Sequence, residues 1–203
     1  MIGDKGVYKS FYDKNKVIYV HIPKTAGTSI CQALYAGDPW HFSCNELKLI
    51  HPIKFKKYQK VAFVRDPLER LLSTYHYSIT HIKENPNTSI SFMKECKNFD
   101  DFLENFLTKE LVNEHYFFWK QVSYVNCDMD FIGKFENIEN DFSNMCSKLG
   151  VKGVLEHKNK SLNFNTKTLV KKENIDKVFS LYGDDYERFN YSKKLSLKLT
   201  LIN

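Results

Sequence analysis

Two short apolar runs near the start of the chain each lead directly into a turn and then into a helical pattern. The first run is VIYVHI at residues 17–22, and the second is VAFV at residues 61–64. Runs of β-branched and aromatic residues of this length are typical of buried strands. A buried strand followed by a turn and a helix is the repeating unit of parallel sheets, so we predict an α/β fold.

The remaining pattern predicts a third strand, FIGKF at residues 131–135, and a set of helices. The helices are predicted at residues 28–35, 67–83, 99–107, 137–150 and 173–189, the last one broken near Gly183. ENPNTSIS at 84–91 is predicted as a loop, residues 156–168 as irregular, and the tail KLSLKLTLI as an edge strand. We expect one domain over residues 1–203, a sandwich in which helices flank a central, mainly parallel sheet.

The charge and the cysteine content argue against several classes of protein. The net charge is +6, but the lysines are dispersed and no dense basic run is present, so we expect no nucleic-acid partner. Five cysteines without a C-x-x-C pair argue against a disulfide framework or a zinc site. The first residues, MIGDKGVYKSF, contain no apolar signal core, and we expect a cytoplasmic protein. Contact with a membrane surface and the oligomeric state stay open.

The turn after the first strand, HIPKTAGTS at residues 21–29, has the composition of an anion-binding loop. A strand that enters a helix through such a turn presents backbone N–H groups at the helix N-terminus, where the helix dipole also favours negative charge. Gly27 allows close approach of the backbone, Thr28 and Ser29 can cap the helix and donate hydroxyls, and Lys24 adds a compact charge. Lys24 precedes the glycine, unlike the lysine of the G-x-x-x-x-G-K-[ST] nucleotide loop. An ordinary strand–turn–helix connection is the alternative.

The turn after the second strand contains a second set of anion-binding side chains. In VAFVRDPLERLLSTY, Arg65 follows the strand and Ser73 lies about two helical turns further on. An arginine fork and a hydroxyl suit a phosphate monoester, and open parallel sheets bind ligands at these strand ends. The alternative for this segment is a surface ion pair between Asp66 and Arg70 on one face of the helix.

Together these two motifs resemble those of a known enzyme family. HIPKTAGTS resembles the 5′-phosphosulfate loop of sulfotransferases that use 3′-phosphoadenosine 5′-phosphosulfate (PAPS), and VAFVRDPLERLLSTY resembles their 3′-phosphate motif. The similarity is greatest to the branch that contains carbohydrate O-sulfotransferases and their bacterial relatives. FIGKFENIENDF, HKNKS and VFSLYGDDYERFNY are similar to later stretches of that branch, so the resemblance extends over residues 17–191.

The resemblance implies a P-loop-like α/β fold that binds PAPS across the ends of the strands. In this family pattern, Lys24 lies beside the bridging oxygen that leaves with the nucleotide, the segment Gly27 to Ser29 holds the 5′-phosphate, and Arg65 with Ser73 holds the 3′-phosphate. Ser161 belongs to the HKNKS segment, which lies near the nucleotide in relatives. The nucleotide-binding residues predicted in this way are Lys24, Thr25, Ala26, Gly27, Thr28, Ser29, Arg65, Ser73 and Ser161.

The implied reaction moves a sulfuryl group from PAPS to a hydroxyl and releases 3′-phosphoadenosine 5′-phosphate, with no metal required. Lys24 is the predicted catalytic cation, because negative charge grows on the leaving oxygen as the S–O bond breaks. His41 is the predicted base, because relatives in this branch carry a catalytic histidine between the two motifs and imidazole suits proton removal at neutral pH. Glu46 is the alternative, either as the base or as the group that orients the ring.

The acceptor implied by this branch is a hydroxyl of a carbohydrate or a glycolipid. His115 is a candidate for the acceptor cleft or for the core, and the rings of Phe117, Phe118 and Trp119 suit either a stacking face or the core. Two other functions are weighed against a sulfotransferase. One is a P-loop-type small-molecule kinase, which would need Mg²⁺ and ATP, and the other is a non-catalytic nucleotide-binding module.

Overall fold

The computed structural model of this chain describes residues 6–35, 37, 40–155, 168–194 and 199–202. The strands are β1 (Val17–Val20), β2 (Gln59–Val64), β3 (Phe131–Lys134), β4 (Thr168–Lys171) and β5 (Leu199–Ile202). The helices are α1 (Ser10–Asn15), α2 (Gly27–Tyr35), α3 (Cys44–Ile50), α4 (Pro52–Lys57), α5 (Pro67–Glu84), α6 (Phe99–Asp101), α7 (Lys109–Glu114), α8 (Gln121–Tyr124), α9 (Ile138–Leu149), α10 (Lys172–Leu181) and α11 (Gly183–Arg188).

The chain divides into two compact units whose segments alternate along the sequence. The first unit consists of Met1–Arg65 and Gln121–Lys160, and the second consists of Asp66–Lys120 and Ser161–Asn203. No helix in the described ranges is both long and apolar enough to cross a membrane.

The centre of the first unit is a three-stranded parallel sheet in the order β1-β2-β3. All four residues of β1 and the last four of β2 are buried, as expected for strands covered on both faces. In the register of the sheet, Val20 pairs with Ala62 and Val64 pairs with Lys134, so the carboxyl ends of the strands lie along one edge. This arrangement confirms the predicted α/β fold with a parallel sheet flanked by helices. β1 ends two residues earlier than predicted, which places His21 in the loop.

The helices of the first unit differ in how well the sequence predicted them. α2 and α9 are confirmed, and α9 ends at Gly150, whose φ of +65° is the left-handed cap that glycine adopts without strain. The short helices α1, α3, α4 and α8 were not predicted. Phe142 on α9 is buried, whereas Phe135 lies ahead of that helix in a 3₁₀ turn, Phe135–Asn137.

The second unit is built around α5, which begins at Pro67 as predicted. The Asp66 side chain accepts a hydrogen bond from Glu69 N and so caps the helix. The alternative prediction of a surface ion pair between Asp66 and Arg70 is wrong, because the Arg70 side chain is fully buried. Its guanidinium donates to the carbonyl oxygens of Phe117 and Trp119. A cation at this depth is held by backbone acceptors of the segment that it packs against.

Three further predictions in the second unit can be compared with the structure. Residues 173–189 form α10 and α11, with the predicted break before Gly183. Residues 99–107 are helical, but α6 continues as a π-helical turn, Phe102–Phe106, which the sequence did not predict. The tail strand is confirmed as β5, and it pairs in parallel with β4, which was not predicted. Residues 156–167 lie outside the described residues.

Candidate active site

The backbone of the loop between β1 and α2 is strained at two residues. Lys24 and Ala26 have φ values of 67° and 65°, the left-handed region that residues with a Cβ rarely occupy. Each such residue costs on the order of 1–2 kcal/mol. Left-handed residues that alternate with others turn successive N–H groups toward one concave side, which is a common way to bind an anion. The backbone geometry of this loop is therefore suited to an anion.

The loop ends at the N-terminus of α2, where the first-turn amides have no partner within the helix. The first helical hydrogen bond runs from Ile30 N to the carbonyl oxygen of Ala26. Thr28 and Ser29 therefore lie inside the first turn, and the prediction that they cap the helix is wrong. The helix begins one residue earlier than predicted, with the left-handed Ala26 before it. Thr25 is buried, and its hydroxyl donates to the carbonyl oxygen of Ile22, which closes the loop on itself.

Two cationic side chains meet at this loop, and both belong to the first unit. Burial, together with the nearby charge of Arg65, lowers the pKa of Lys24 to about 8. Arg65 Nη1 donates to the carbonyl oxygen of Lys24 at 3.4 Å. Like charges that are partly removed from water destabilise each other until an anion binds between or beside them. The loop and Arg65 thus form one positively charged site at the carboxyl edge of the sheet.

Arg65 is held in place by two residues that the sequence analysis did not select. The buried Gln121 side chain clamps the Arg65 backbone, because Arg65 N donates to Gln121 Oε1 at 2.9 Å and Gln121 Nε2 donates to the Arg65 carbonyl at 2.8 Å. The guanidinium lies over the ring of Phe135, 4.2 Å from its centroid. Arg65 is only 5% exposed. A lone glutamine among the aromatic and apolar residues of WKQVSYV was the available signal for Gln121.

His41 is brought to the same loop by its contacts with His21. His41 Nδ1 lies 3.2 Å from the carbonyl oxygen of His21, and the two ring centroids are 4.2 Å apart. His21 is buried, and its contact with His41 was not predicted from the sequence. Glu46 has another role here: its carboxylate accepts from Ser43 N at 2.7 Å and from Ser43 Oγ at 2.6 Å, which forms the capping box of α3.

The other predicted site residues lie elsewhere in the chain. Ser73 is half-buried on α5 in the second unit, about two turns into the helix. Ser161 and its neighbours in HKNKS, including His157, lie outside the described residues. Among the described residues, no group of three or more His, Cys, Asp or Glu side chains could hold a metal ion.

The residues considered for an acceptor surface belong to the second unit and differ in how far they are buried. Phe118 is fully buried in the core, whereas Phe117 and Trp119 are half-buried. His115 Nδ1 accepts from Phe117 N at 3.3 Å, so the neutral ring carries its proton on Nε2, 2.9 Å from Ser89 Oγ. Burial lowers the pKa of His115, which favours this neutral form. His115 therefore donates to Ser89 and does not activate it.

The fold agrees with the comparison to known proteins. A model described as "Sulfotransferase family" matches residues 10–192, so the chain belongs to the sulfotransferase family. Carbohydrate sulfotransferase 11 of Mus musculus is 24% identical over 245 aligned positions, which cover 92% of this chain and 68% of that protein. Carbohydrate sulfotransferase 11 of Rattus norvegicus matches with the same identity and coverage. No solved structure matches the chain.

Proposed function

We propose that this sulfotransferase uses PAPS as its donor and transfers the sulfuryl group to a hydroxyl of a carbohydrate or glycolipid. The observation that carries the proposal is that Lys24 and Arg65 meet at the loop before α2, where Arg65 Nη1 donates to the carbonyl oxygen of Lys24. The lowered pKa of Lys24, caused by burial and by the charge of Arg65, is consistent with this placement. A site that contains these two cations fits a donor that carries several negative charges. The name of the two relatives supports a carbohydrate acceptor.

Different residues of the site would bind different groups of the donor. When bound, PAPS supplies the sulfuryl group and leaves as 3′-phosphoadenosine 5′-phosphate. The first-turn amides of α2, from Gly27 to Ser29, would hold the 5′-phosphate, and Arg65 would bind the 3′-phosphate. Lys24 would offset the charge that grows on the leaving oxygen, an effect worth about 10²- to 10³-fold in rate for one such group. Ser73 and Ser161 stay predictions from the family pattern.

His41 is the proposed base for the acceptor hydroxyl. As the new S–O bond forms on the acceptor and the S–O bond to the phosphate breaks, the hydroxyl proton passes to the imidazole. The contact of His41 with the loop that contains Lys24 supports this role, because base and cation then belong to one segment of structure. His41→Ala should lower kcat and leave the affinity for PAPS unchanged. An unchanged kcat would assign the base to another residue.

The direct test is transfer of labelled sulfate from PAPS to a panel of glycans, glycolipids and small alcohols, without added metal. The proposal expects transfer to at least one sugar hydroxyl. Transfer to small alcohols alone would contradict the carbohydrate acceptor, and a requirement for Mg²⁺ and ATP would contradict sulfuryl transfer from PAPS. The comparisons favour neither the kinase nor the non-catalytic nucleotide-binding module.

Variants of Lys24 and Arg65 test the separate roles that we propose for these two cations. Lys24→Ala should abolish transfer while binding of 3′-phosphoadenosine 5′-phosphate largely survives, because the amine acts on the leaving oxygen. Lys16→Ala is the matched control, since Lys16 has the same left-handed backbone (φ 56°) but an exposed side chain. It should leave transfer unchanged.

Arg65→Ala should reduce the preference for nucleotides that carry a 3′-phosphate over adenosine 5′-phosphate. This affinity ratio, measured by titration calorimetry, does not depend on the fraction of folded protein. A ratio equal to that of the unmodified chain would remove Arg65 from the 3′-phosphate site. The cytoplasmic location, the absence of a nucleic-acid partner and the membrane contact stay predictions.

A further inference from the structure

The His21 ring at the end of β1 packs against Tyr19, His41 and Gly27. The Tyr19 ring stacks against it with centroids 5.9 Å apart, and the His41 ring lies 4.2 Å away on centroids. The third neighbour is the backbone of Gly27, because a methyl group at this position would overlap Nε2 and Cδ2 of the His21 ring. With 5% of its surface exposed, His21 has little room to move.

The need for glycine at position 27 therefore does not come from the backbone conformation. Its φ is not in the left-handed region, in contrast to those of Lys24 and Ala26. The usual explanation for glycine in such a loop is close approach of the ligand. In this chain the His21 ring already occupies the space next to the Gly27 Cα, so the side chain that glycine accommodates belongs to the protein itself.

The His21 carbonyl also determines the proton position on His41. A carbonyl oxygen only accepts hydrogen bonds, so the contact at 3.2 Å requires the proton of the neutral ring on Nδ1. The lone pair of the neutral ring is then on Nε2, the nitrogen that can take a proton from a hydroxyl. Backbone and ring of one residue thus set both the tautomer and the location of His41.

We propose that His21 is a positioning residue for His41 and that Gly27 is required to leave space for the His21 ring. This inference rests on the proposed role of His41 as base. It links the first turn of α2 to the base through a continuous row of packed groups. A displacement of about 1 Å at a reacting group can lower a rate by about a hundredfold. Disturbing either end of this row should therefore act on turnover.

The test is a double-mutant cycle of Gly27→Ala and His21→Ala, with Gly183→Ala as the matched control, since a methyl group at Gly183 meets nothing within 4 Å. Gly27→Ala should lower kcat about tenfold or more in the original chain, and clearly less in the His21→Ala background, where the methyl group has space. Equal effects in both backgrounds would overturn the proposal and assign Gly27 to ligand approach.

Two further readouts separate positioning from other roles. Both His21→Phe and His21→Ala keep the backbone carbonyl group, but only His21→Phe keeps a flat ring, so it should retain more activity than His21→Ala. Equal loss in both variants would contradict a positioning role of the ring. Nitrogen chemical shifts of His41 at alkaline pH should report the Nδ1–H tautomer in the original chain and a mixture of tautomers in His21→Ala. An Nε2–H tautomer in the original chain would overturn the assignment.

These readouts also distinguish the inference from the proposed function. The tautomer and the non-additivity of the cycle in unfolding free energy are measured without PAPS or acceptor. They test the packing of Gly27, His21 and His41 even where a variant is inactive. If the packing is confirmed and His41→Ala keeps its kcat, the proposed base is wrong and the packing is structural.

Discussion

At Lys24, both the backbone and the side chain are in unfavourable states in the free protein. The backbone has a φ of 67°, and the pKa of the amine is lowered to about 8. Strain and a perturbed pKa at the same residue are typical of functional sites, where the ligand compensates for them. Lys24 is thus a residue at which stability and function are opposed.

We predict that Lys24→Met stabilises the free protein. The unfolded chain keeps the Lys24 proton up to a pKa of 10.5, and the folded chain only up to about 8, so the unfolded state binds more protons between these values. The stability of the unmodified chain should therefore rise from pH 8 to pH 10.5. At pH 7 the free energy of unfolding of Lys24→Met should exceed that of the unmodified chain by about 1–3 kcal/mol. This difference should shrink between pH 8 and pH 10.5. Urea denaturation at several pH values measures this, and a less stable variant at pH 7 would contradict it.

Replacing Ala26 tests the strain in the loop. Ala26→Gly removes the Cβ that disfavours a φ of 65°, and we expect a gain of up to about 1 kcal/mol in unfolding free energy. Ala26→Val, with a branched side chain, should lose about 2 kcal/mol. Ala33→Gly within α2 is the control. It is also a change from alanine to glycine, but it should lower the free energy of unfolding by about 1 kcal/mol, whereas Ala26→Gly should raise it. A loss in Ala26→Gly would show that the loop is unstrained.

Residue roles were predictable from the sequence only where a local motif defines them. The positions of Lys24 and Arg65 at two strand ends follow from apolar runs and the residues directly after them. The contacts of Gln121 with Arg65 and of His21 with His41 were missed. These partners are distant in sequence, and no local pattern encodes such contacts. The capping contact of Glu46 was missed for the opposite reason: its partner Ser43 is local, and the S-x-x-E capping signal was overlooked.

At the scale of elements, α3 is the helix that follows His41, and its capping box holds the helix start in place. We predict that Glu46→Gln keeps transfer activity, because a glutamine also completes a capping box, whereas a carboxylate base has no such substitute. Ser43→Ala should cost about 1 kcal/mol of unfolding free energy. Steady-state kinetics and denaturation measure both. Loss of kcat in Glu46→Gln with normal stability would make Glu46 the base.

Long periodic helices were predictable, whereas short helices were not. α5 and α9 show apolar residues at three- and four-residue spacing over several turns, and α9 also ends in a glycine cap. α1 and α4 each span six residues, too few for a period to be evident. β4 was missed because a four-residue strand is stabilised by its partner β5, which lies far along the chain.

For the whole molecule, the two compact units raise the question of how the chain unfolds. Neither unit is a continuous piece of sequence, since the chain passes between them after Arg65, Lys120 and Lys160. The family match, residues 10–192, includes segments of both. The prediction of a single domain requires one calorimetric unfolding transition with equal calorimetric and van't Hoff enthalpies. Two resolved transitions would contradict a single domain.

The lowered pKa of Lys24 has a chemical consequence beyond sulfuryl transfer. At pH 7 about one in ten of these amines is neutral, compared with roughly one in three thousand for an ordinary lysine. Only the neutral amine attacks electrophiles, so an anionic aldehyde or active ester should label this residue before the many surface lysines. Lys24 is thereby a target for covalent inhibitors that mimic the leaving nucleotide.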